Sequence, residues 1–244
     1  MSVKFKNQSF SIVVPVFNEG QNIMLLYNEI NESLKNYSYE IIFVNDASTD
    51  DSNYYFEKIK IDDKVKIINK EFNSGQSSCL LTGIKKAKNN IIVTLDGDCQ
   101  NDPHDIVKLL EIYHTKISAN FHLIGGIRKV RKDNVIKIIS SFLANKIRSF
   151  ILKDNCEDTG CGLKVFTKNI FLRIPYFNSM HRFLPALFQG LGCKTFFVNV
   201  NHRNRIYGHS KYGTVKRLFF GVIDIFKVLR IIKLINEATN IPPK

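Results

Sequence analysis

Residues 90–103 read NIIVTLDGDCQNDP and join an apolar run to a pair of carboxylates. The run at 91–95 is short and rich in β-branched residues, which predicts a buried strand. Asp96 and Asp98 follow it, separated only by Gly97. Two carboxylates this close destabilise each other unless something neutralises them. The segment therefore predicts a strand that ends at a cation-dependent site.

Short apolar runs alternate with helical patterns throughout the first 117 residues. Continuous apolar runs of strand length, separated by helices, are typical of a parallel sheet buried on both faces. The predicted strands are 10–18, 39–46, 65–70 and 90–98, and helices are predicted at 19–37 and 75–89. With 244 residues, 44% of them hydrophobic, the chain is long enough for one large α/β domain.

Three of these predicted strands end in acidic residues. Glu19 follows the first, Asp46 the second, and Asp96 and Asp98 the fourth. Parallel strands present their carboxyl ends at one edge, where ligands bind, so we expect these side chains to converge. The motifs GxGxxG after the first strand and GxxxxGK[ST] are absent, which gives no support to the common dinucleotide and P-loop sites.

The second half of the chain is less regular. The patterns first predict a short strand that begins at 122 and runs into a basic segment ending at 133, and then an amphipathic helix at 134–152. A turn and a strand within 157–169, a helix at 181–192 and an edge strand at 193–203 are predicted next. A loop at 204–213 and a long helix complete the predicted order. Five cysteines without a CxxC pair argue against a disulfide framework.

Positive charge is concentrated in two segments. The chain holds 35 Lys and Arg against 22 Asp and Glu, a net charge of +13. Residues 126–153 and 201–233 each hold eight basic residues and one acid. Such localised charge predicts an anionic partner, for which phosphates, an anionic membrane and nucleic acid are the candidates.

No membrane span or signal peptide is predicted. The longest candidate span, 218–226, has nine residues including Asp224, whereas a span needs about 20 apolar residues. The N-terminal residues contain no apolar core of the kind that signal peptides carry.

The carboxylate pair suits a hard divalent cation. Mg²⁺ and Mn²⁺ typically bind one or two protein carboxylates together with phosphate oxygens and water. Gln100 adds an oxygen, and Gly97 lets the backbone approach a ligand closely. A metal held here would bind a diphosphate, which predicts a nucleotide-activated donor. Asp46 is then positioned to accept hydrogen bonds from a base or a ribose.

Four segments of the first half occur in a recognisable order: SIVVPVFNEGQNI, IIFVNDASTDD, NSGQSSCLLTGIKKA and IIVTLDGDCQNDP. In order and spacing they resemble family 2 glycosyltransferases with the GT-A fold. GGIRKVRKD, DTGCGLKVF, HRFLPALF and RNRIYGHSKYG further resemble the branch of dolichyl-phosphate mannose synthases and bacterial polyprenyl-phosphate glycosyltransferases. The resemblance covers about residues 8 to 226. It implies a mixed, mostly parallel sheet flanked by helices.

The resemblance also implies roles for particular residues. The nucleotide-sugar site would comprise Pro15, Phe17, Glu19, Asp46, Asp96, Gly97 and Asp98. The metal, Mg²⁺ or Mn²⁺, would be held by Asp96, Asp98 and Gln100. The phosphates of donor or acceptor would contact Arg128, Ser140, Arg205, Ser210 and Lys211. Asp158 matches an acidic position of the acceptor-side motif. Asp98, Asp158 and Arg128 are the expected catalytic residues.

The implied reaction is an inverting displacement from a UDP- or GDP-linked sugar to a polyprenyl phosphate. A phosphate acceptor is already ionised, so it needs positioning and charge shielding rather than a strong base. The alternative acceptor is a hydroxyl of a saccharide, glycolipid or protein, for which Asp158 or a nearby acid would serve as base. A third hypothesis is a non-catalytic membrane- or nucleic-acid-binding module. RNA-binding motifs are absent, so no nucleic-acid partner is expected.

The expected organisation is one GT-A domain at 1–213, with a nucleotide-binding half at 1–117 and an acceptor half at 118–213, followed by a C-terminal amphipathic helix and tail at 214–244. The helix carries an apolar stripe comprising Leu218, Val222, Ile225, Leu229 and Ile232, and its other face mixes basic and aromatic residues. This pattern suits an anionic membrane surface at 214–235, or else packing on the domain or in a homo-oligomer. The expected location is cytoplasmic, on the cytoplasmic face of the membrane.

Overall fold

The computed structural model describes the backbone of residues 8–128, 146–207 and 214–239, and the side chains of the first two ranges and of 223–237. The strands are β1 Phe10–Val16, β2 Tyr39–Asn45, β3 Val65–Asn69, β4 Ile91–Thr94, β5 Phe121–Arg128, β6 Lys164–Thr167 and β7 Lys194–Val200. The helices are α1 Gly20–Ser33, α2 Ser52–Ile59, α3 Gln76–Lys86, α4 Asp105–Lys116, α5 146–152, α6 Lys168–Phe171, α7 Leu184–Gly190 and α8 Thr214–Thr239.

The strands form one sheet in the order β3-β2-β1-β4-β6-β5-β7. Neighbouring strands are parallel except at β6, which runs antiparallel to both β4 and β5. The predicted mixed, mostly parallel sheet is therefore confirmed, as is the edge position of β7. Val16 pairs with Asn45, so β1 and β2 end level with each other, and the loops that follow them start side by side.

The sheet is buried on both faces, as the continuous apolar runs predict. Ile12 and Val14 face the core cluster that includes residues of α1, α2 and α4, whereas Val13 faces the cluster that includes residues of α3, α7 and α8. All three side chains are fully buried. Burying one such side chain contributes about 1.5–3 kcal/mol, so the two-sided core holds the strand ends in fixed positions.

Several predicted boundaries differ from the structure. The strand predicted at 90–98 ends at Thr94, which leaves both carboxylates of the DGD motif in the following loop. The helix predicted at 181–192 begins at Leu184, because Pro185 is tolerated only in the first turn of a helix. Of the helix predicted at 134–152, residues 146–152 are helical and the rest lies outside the described residues.

Helix α8 packs on the domain through α7. A Cβ added at Gly190 of α7 would lie 2.9 Å from the side chain of Ile232. Ile225 and Val228 are buried, whereas Leu229, another residue of the predicted apolar stripe, is 38% exposed. Across the described part of the chain, no helix is both long and apolar enough to span a membrane.

Candidate active site

The loops after β1, β2 and β4 meet at the carboxyl edge of the sheet. Each contains one non-glycine residue with positive φ: Asn18 at 51°, Ala47 at 58° and Cys99 at 59°. Such backbone is uncommon for these residue types and persists where the surrounding contacts impose it. All three loops therefore turn sharply just beyond the strands, as a site built from loops on a rigid sheet requires.

The first two loops are joined to each other. Asn18 accepts a hydrogen bond from the backbone N–H of Thr49 at 2.7 Å, and its own N–H donates to Ser48 at 2.9 Å. Pro15, near the end of β1, and Phe17, just after it, are partly buried at this edge. The loops that follow β1 and β2 are therefore tied together at the edge where Pro15 and Phe17 lie.

Asp46 is buried at the end of β2 and faces the start of α3. Its carboxylate accepts hydrogen bonds from the N–H and hydroxyl of Ser74, both at 2.9 Å, and from the N–H of Gly75 at 2.7 Å. Burial alone would raise the pKa of Asp46, but these hydrogen bonds hold it below its usual value. Asp46 is thus an ionised carboxylate that already orients the start of α3, and any contact with a base or ribose would use its remaining acceptor capacity.

Asp96 lies against two neighbours that fix its orientation. Gln76, the first residue of α3, donates its side-chain N–H to Asp96 at 2.8 Å. A Cβ added at Gly162 would overlap the Asp96 carboxyl group, so only glycine allows this close approach. Burial and the charge of Asp98 raise the pKa of Asp96 to about 6, partly offset by Lys164 and Arg128. The pair therefore carries more negative charge than its surroundings compensate.

Asp98 forms an ion pair with Arg205, at 2.6 Å, and Arg205 also contacts Glu19, at 3.1 Å. Burial raises the pKa of Asp98, and the charge of Arg205 opposes the rise. In this structure Arg205 thus supplies the positive charge between two of the predicted donor-site carboxylates. The family resemblance implies a phosphate contact for Arg205 and gives no indication of this bridge.

Arg205 reaches the carboxylates because the chain after β7 runs beside the DGD loop. Asn101 and His202 form an isolated β-bridge, and the N–H of Arg203 donates to the carbonyl of Gln100 at 2.9 Å. Gln100 also donates its backbone N–H to Asp98 at 3.1 Å and its side-chain N–H to the carbonyl of Arg203 at 3.4 Å. The two halves of the chain are therefore in contact at the predicted metal site.

Arg128, at the end of β5, is held by Asp158. Two of its side-chain N–H groups donate to the carboxylate at 2.6 and 2.7 Å, and its backbone N–H donates at 3.2 Å. Burial alone would lower the pKa of Arg128, but the hydrogen bonds and charge of Asp158 raise it overall. A guanidinium has five N–H donors, so Arg128 keeps donors that Asp158 does not use.

Three polar groups at this edge were missed by sequence reasoning. Gln76 lies in a quoted motif but was given no role. Lys164 is buried in β6, and its ammonium donates to the carbonyl of Cys161. Ser77 contacts His181 at 2.7 Å and so joins α3 to the second half of the chain. The signal for Gln76 is its position directly after the glycine that begins a helix at the predicted site edge.

The predicted metal ligands fit a divalent cation in donor chemistry and charge. Asp96 and Asp98 offer hard oxygen donors, and the raised pKa of Asp96 reports charge that a cation would relieve. Within the described ranges, no group of three or more His, Cys, Asp or Glu residues is arranged to hold a metal. Any ion here would depend on the two carboxylates, Gln100 and ligand oxygens. Ser140, Ser210 and Lys211 lie outside the described residues.

A groove of about 590 Å³ lies beside α2, on the other side of the β2 end from the α3 contacts of Asp46. Asn45 donates to both Asn53 and Asn69, at 3.1 and 3.0 Å. These amides bond to one another across the groove, and the carboxylate pair does not line it. We therefore assign the site to the loop edge rather than to this groove.

Comparison with known proteins gives consistent results. The family model described as glycosyl transferase family 2 matches residues 11–174. Dodecaprenyl-phosphate galacturonate synthase of Rhizobium johnstonii is 32% identical over 90% of this chain and 66% of its own length. Undecaprenyl-phosphate 4-deoxy-4-formamido-L-arabinose transferase of Yersinia pestis is 27% identical over 98% of this chain and 74% of its own length. The chain therefore spans about two thirds to three quarters of these relatives.

Among solved structures, similar folds include glucosyl-3-phosphoglycerate synthase from Mycobacterium tuberculosis in complex with Mn²⁺, UDP and phosphoglyceric acid. It matches with a TM-score of 0.67 at 16% identity, over 91% of this chain and 78% of that protein. The same enzyme with Mg²⁺ and UDP gives a TM-score of 0.66 at 15% identity, over 98% and 82% of the two chains. At this identity the likeness establishes the GT-A fold.

Proposed function

We propose that this chain, which belongs to glycosyl transferase family 2, transfers a sugar from a UDP- or GDP-linked donor to a polyprenyl phosphate with inversion. The observation that carries the proposal is the charge arrangement at the loop edge. A carboxylate pair lies beside Arg205. A second cation, Arg128, lies close enough to Asp96 for its charge to oppose part of the rise in the pKa of that carboxyl group. The names of two relatives, a dodecaprenyl-phosphate galacturonate synthase and an undecaprenyl-phosphate arabinose-type transferase, support the acceptor class.

The donor would bind in the half formed by residues 1–117. Pro15, Phe17, Glu19 and Asp46 would contact the nucleoside. Asp96 and Asp98, with Gln100, would hold Mg²⁺ or Mn²⁺. When bound, this ion would neutralise the carboxylates and stabilise negative charge on the departing nucleoside diphosphate. Gly97 would let the diphosphate approach the backbone, because it has no side chain. It also packs closely on β1, since a Cβ would lie 2.9 Å from the carbonyl oxygen of Pro15.

Arg205 would exchange partners during the reaction. In the structure it compensates Asp98 and Glu19. If Asp96, Asp98 and Gln100 held a divalent cation, its positive charge would replace the compensation that Arg205 gives to Asp98. Arg205 would then be available for the phosphates of donor or acceptor, the role that the motif predicts. Its partly exposed position leaves room for this movement.

The acceptor would bind in the half formed by residues 118–213. One phosphate oxygen of the acceptor attacks the anomeric carbon, the bond from that carbon to the donor diphosphate breaks, and its electron pair leaves with the nucleoside diphosphate. Arg128 and Arg205, with the predicted contacts Ser140, Ser210 and Lys211, would hold the acceptor phosphate in line and shield its charge.

A hydroxyl acceptor is the second candidate, and the geometry gives it less support. It would need Asp158 or a nearby acid as general base. The Asp158 carboxylate accepts three hydrogen bonds from Arg128, so its lone pairs are largely committed. A phosphate acceptor avoids this requirement because it is already ionised.

A lipid acceptor would require contact with a membrane, and α8 offers a suitable surface. Phe226 is 68% exposed, and Lys227, Arg230 and Lys233 are exposed on the same helix. Residues 214–235 would lie on the cytoplasmic face of an anionic membrane, with the aromatic side chain in the interface. A homo-oligomer contact at this helix is the alternative.

The proposal is tested by measuring sugar transfer from radiolabelled UDP- and GDP-sugars to a short-chain polyprenyl phosphate, with and without Mn²⁺. Asp98→Asn should abolish metal-dependent transfer while the protein stays folded. Asp63→Asn, an exposed acidic residue between α2 and β3, is the matched control and should retain activity. Transfer only to hydroxyl acceptors would support the second candidate, and vesicle binding without any turnover would support a non-catalytic module.

A further inference from the structure

We infer that the outer face of α5, formed by Ile147, Phe150 and Ile151, docks on an anionic membrane. These side chains are 51%, 85% and 40% exposed. Their spacing of three and four residues places them together on one side of the helix. Arg148 and Leu152 point to the opposite side and are buried. This surface is separate from α8, which the sequence had already suggested as a membrane contact.

The inner face of α5 is held rigidly. The guanidinium of Arg148 pairs with Asp154 and donates to the carbonyl of Cys156. Asp154 also accepts the N–H of Cys156 at 3.0 Å, and Gln189 of α7 donates to its carbonyl at 3.0 Å. The apolar side chains are thus presented outward by a helix that cannot easily turn them inward, so their exposure is built into the fold.

A bilayer fits this surface better than a protein does. Stable protein interfaces bury about 800 Å² per partner, which is much more than these three side chains provide. Membrane insertion needs only a few apolar side chains with basic residues beside them. Lys146 and Lys153 are exposed on either side of these apolar residues along the chain, and within the described residues 146–157 the one exposed acid is Glu157. Interfacial lysines favour anionic headgroups.

The position of α5 also relates it to the active site. Leu152 of α5 and Ile225 of α8 belong to the same core cluster, so both proposed membrane elements are anchored in one part of the domain. The chain then runs from the Arg148–Asp154 pair to Asp158, which holds Arg128. Docking through α5 would therefore hold the acceptor half at a fixed height above the bilayer. The inference rests on the proposed function only in that the acceptor is a membrane lipid.

Vesicle flotation of the full chain tests the inference. The vesicles would contain phosphatidylglycerol mixed with phosphatidylcholine, and phosphatidylcholine alone for comparison. Phe150→Ser should lower the partition coefficient for the anionic vesicles about tenfold, since it removes one large apolar side chain from the interface. Ile147→Ser should lower it several-fold. Ile61→Ser, the same substitution at an 83% exposed residue between α2 and β3, should change nothing.

Two further measurements separate the outcomes. Thermal unfolding should be unchanged in Phe150→Ser, because the side chain is exposed, and transfer to a detergent-solubilised short-chain acceptor should be unchanged as well. Flotation of Phe150→Ser equal to wild type, or an equal loss in Ile61→Ser, would overturn the inference. A change of oligomeric state in Phe150→Ser on sedimentation would assign the face to a protein partner instead. Absence of transfer by the wild type would contradict the proposed function and leave the flotation result standing.

Discussion

Asp96→Asn should stabilise the metal-free protein near neutral pH while it abolishes transfer. The pKa of Asp96 is about 6 in the folded protein, against a usual value of 3.8. The folded state therefore binds this proton more tightly than the unfolded state does. Stability should fall as the pH rises from about 4 to about 6 and should change no further above that range, because both states are then ionised.

The expected gain in stability follows from how far the pKa of Asp96 is raised. About two pKa units correspond to a cost on the order of 3 kcal/mol in the ionised state. Asparagine cannot ionise and keeps an oxygen that accepts the hydrogen bond of Gln76, so it should remove most of this cost. For a chain of this size, 1 kcal/mol shifts Tm by about 2–4 °C, which gives an increase of roughly 6–12 °C as an upper limit.

Thermal unfolding in the presence of a chelator, followed by circular dichroism across this pH range, is the assay. Asp102→Asn is a control of opposite sign. Burial would raise the pKa of Asp102, but hydrogen bonds from His104 hold it below its usual value. That variant should therefore lose stability near neutral pH and still at about pH 4, and the loss should shrink only as the pH falls through the lowered pKa of Asp102. Adding Mn²⁺ should stabilise the wild type more than Asp96→Asn. A Tm for Asp96→Asn at or below that of the wild type near neutral pH would refute the idea of an uncompensated carboxylate pair.

Substitutions at three other positions test the same edge. Gly162→Ala should displace Asp96 and lower turnover by about 100-fold, while Tm should fall by only a few degrees. Turnover near that of the wild type would show that the position of Asp96 in the structure is not required for activity. Gln76→Ala should raise the metal concentration needed for half-maximal transfer, because Asp96 loses the hydrogen bond that orients it. Gln76→Glu should lower that concentration, because a third negative charge attracts a divalent cation more strongly. An unchanged metal titration for both variants would remove Gln76 from the site. Arg128→Lys removes the bidentate contact with Asp158 and should lower both Tm and turnover by more than Arg173→Lys, the same substitution at an exposed residue. Equal Tm and turnover in the two variants would contradict the role assigned to Arg128.

Much of the fold of residues 1–117, the half predicted to bind the nucleotide, follows from the sequence. The predicted family and the mostly parallel sheet are confirmed, because apolar runs that are buried on both faces are local features. The roles assigned to Pro15, Phe17, Glu19 and Asp46 remain predictions, although the structure brings these residues to one edge. Burial beside charged neighbours, as for Lys164, has no local signature in the sequence.

The sequence by itself determined that the chain is an α/β protein with carboxylates after its strands, since strand and helix periodicities and the DGD motif are properties of neighbouring residues. The tertiary structure decided which charges meet. Arg205 contacts Asp98 across 107 positions of sequence, and Gln76 contacts Asp96 across 20. It also decided that α5 turns Phe150 outward, because Arg148 and Leu152 are drawn inward by partners in other segments. Contacts of this kind depend on how loops and helices pack around the finished sheet, and no local pattern encodes that packing.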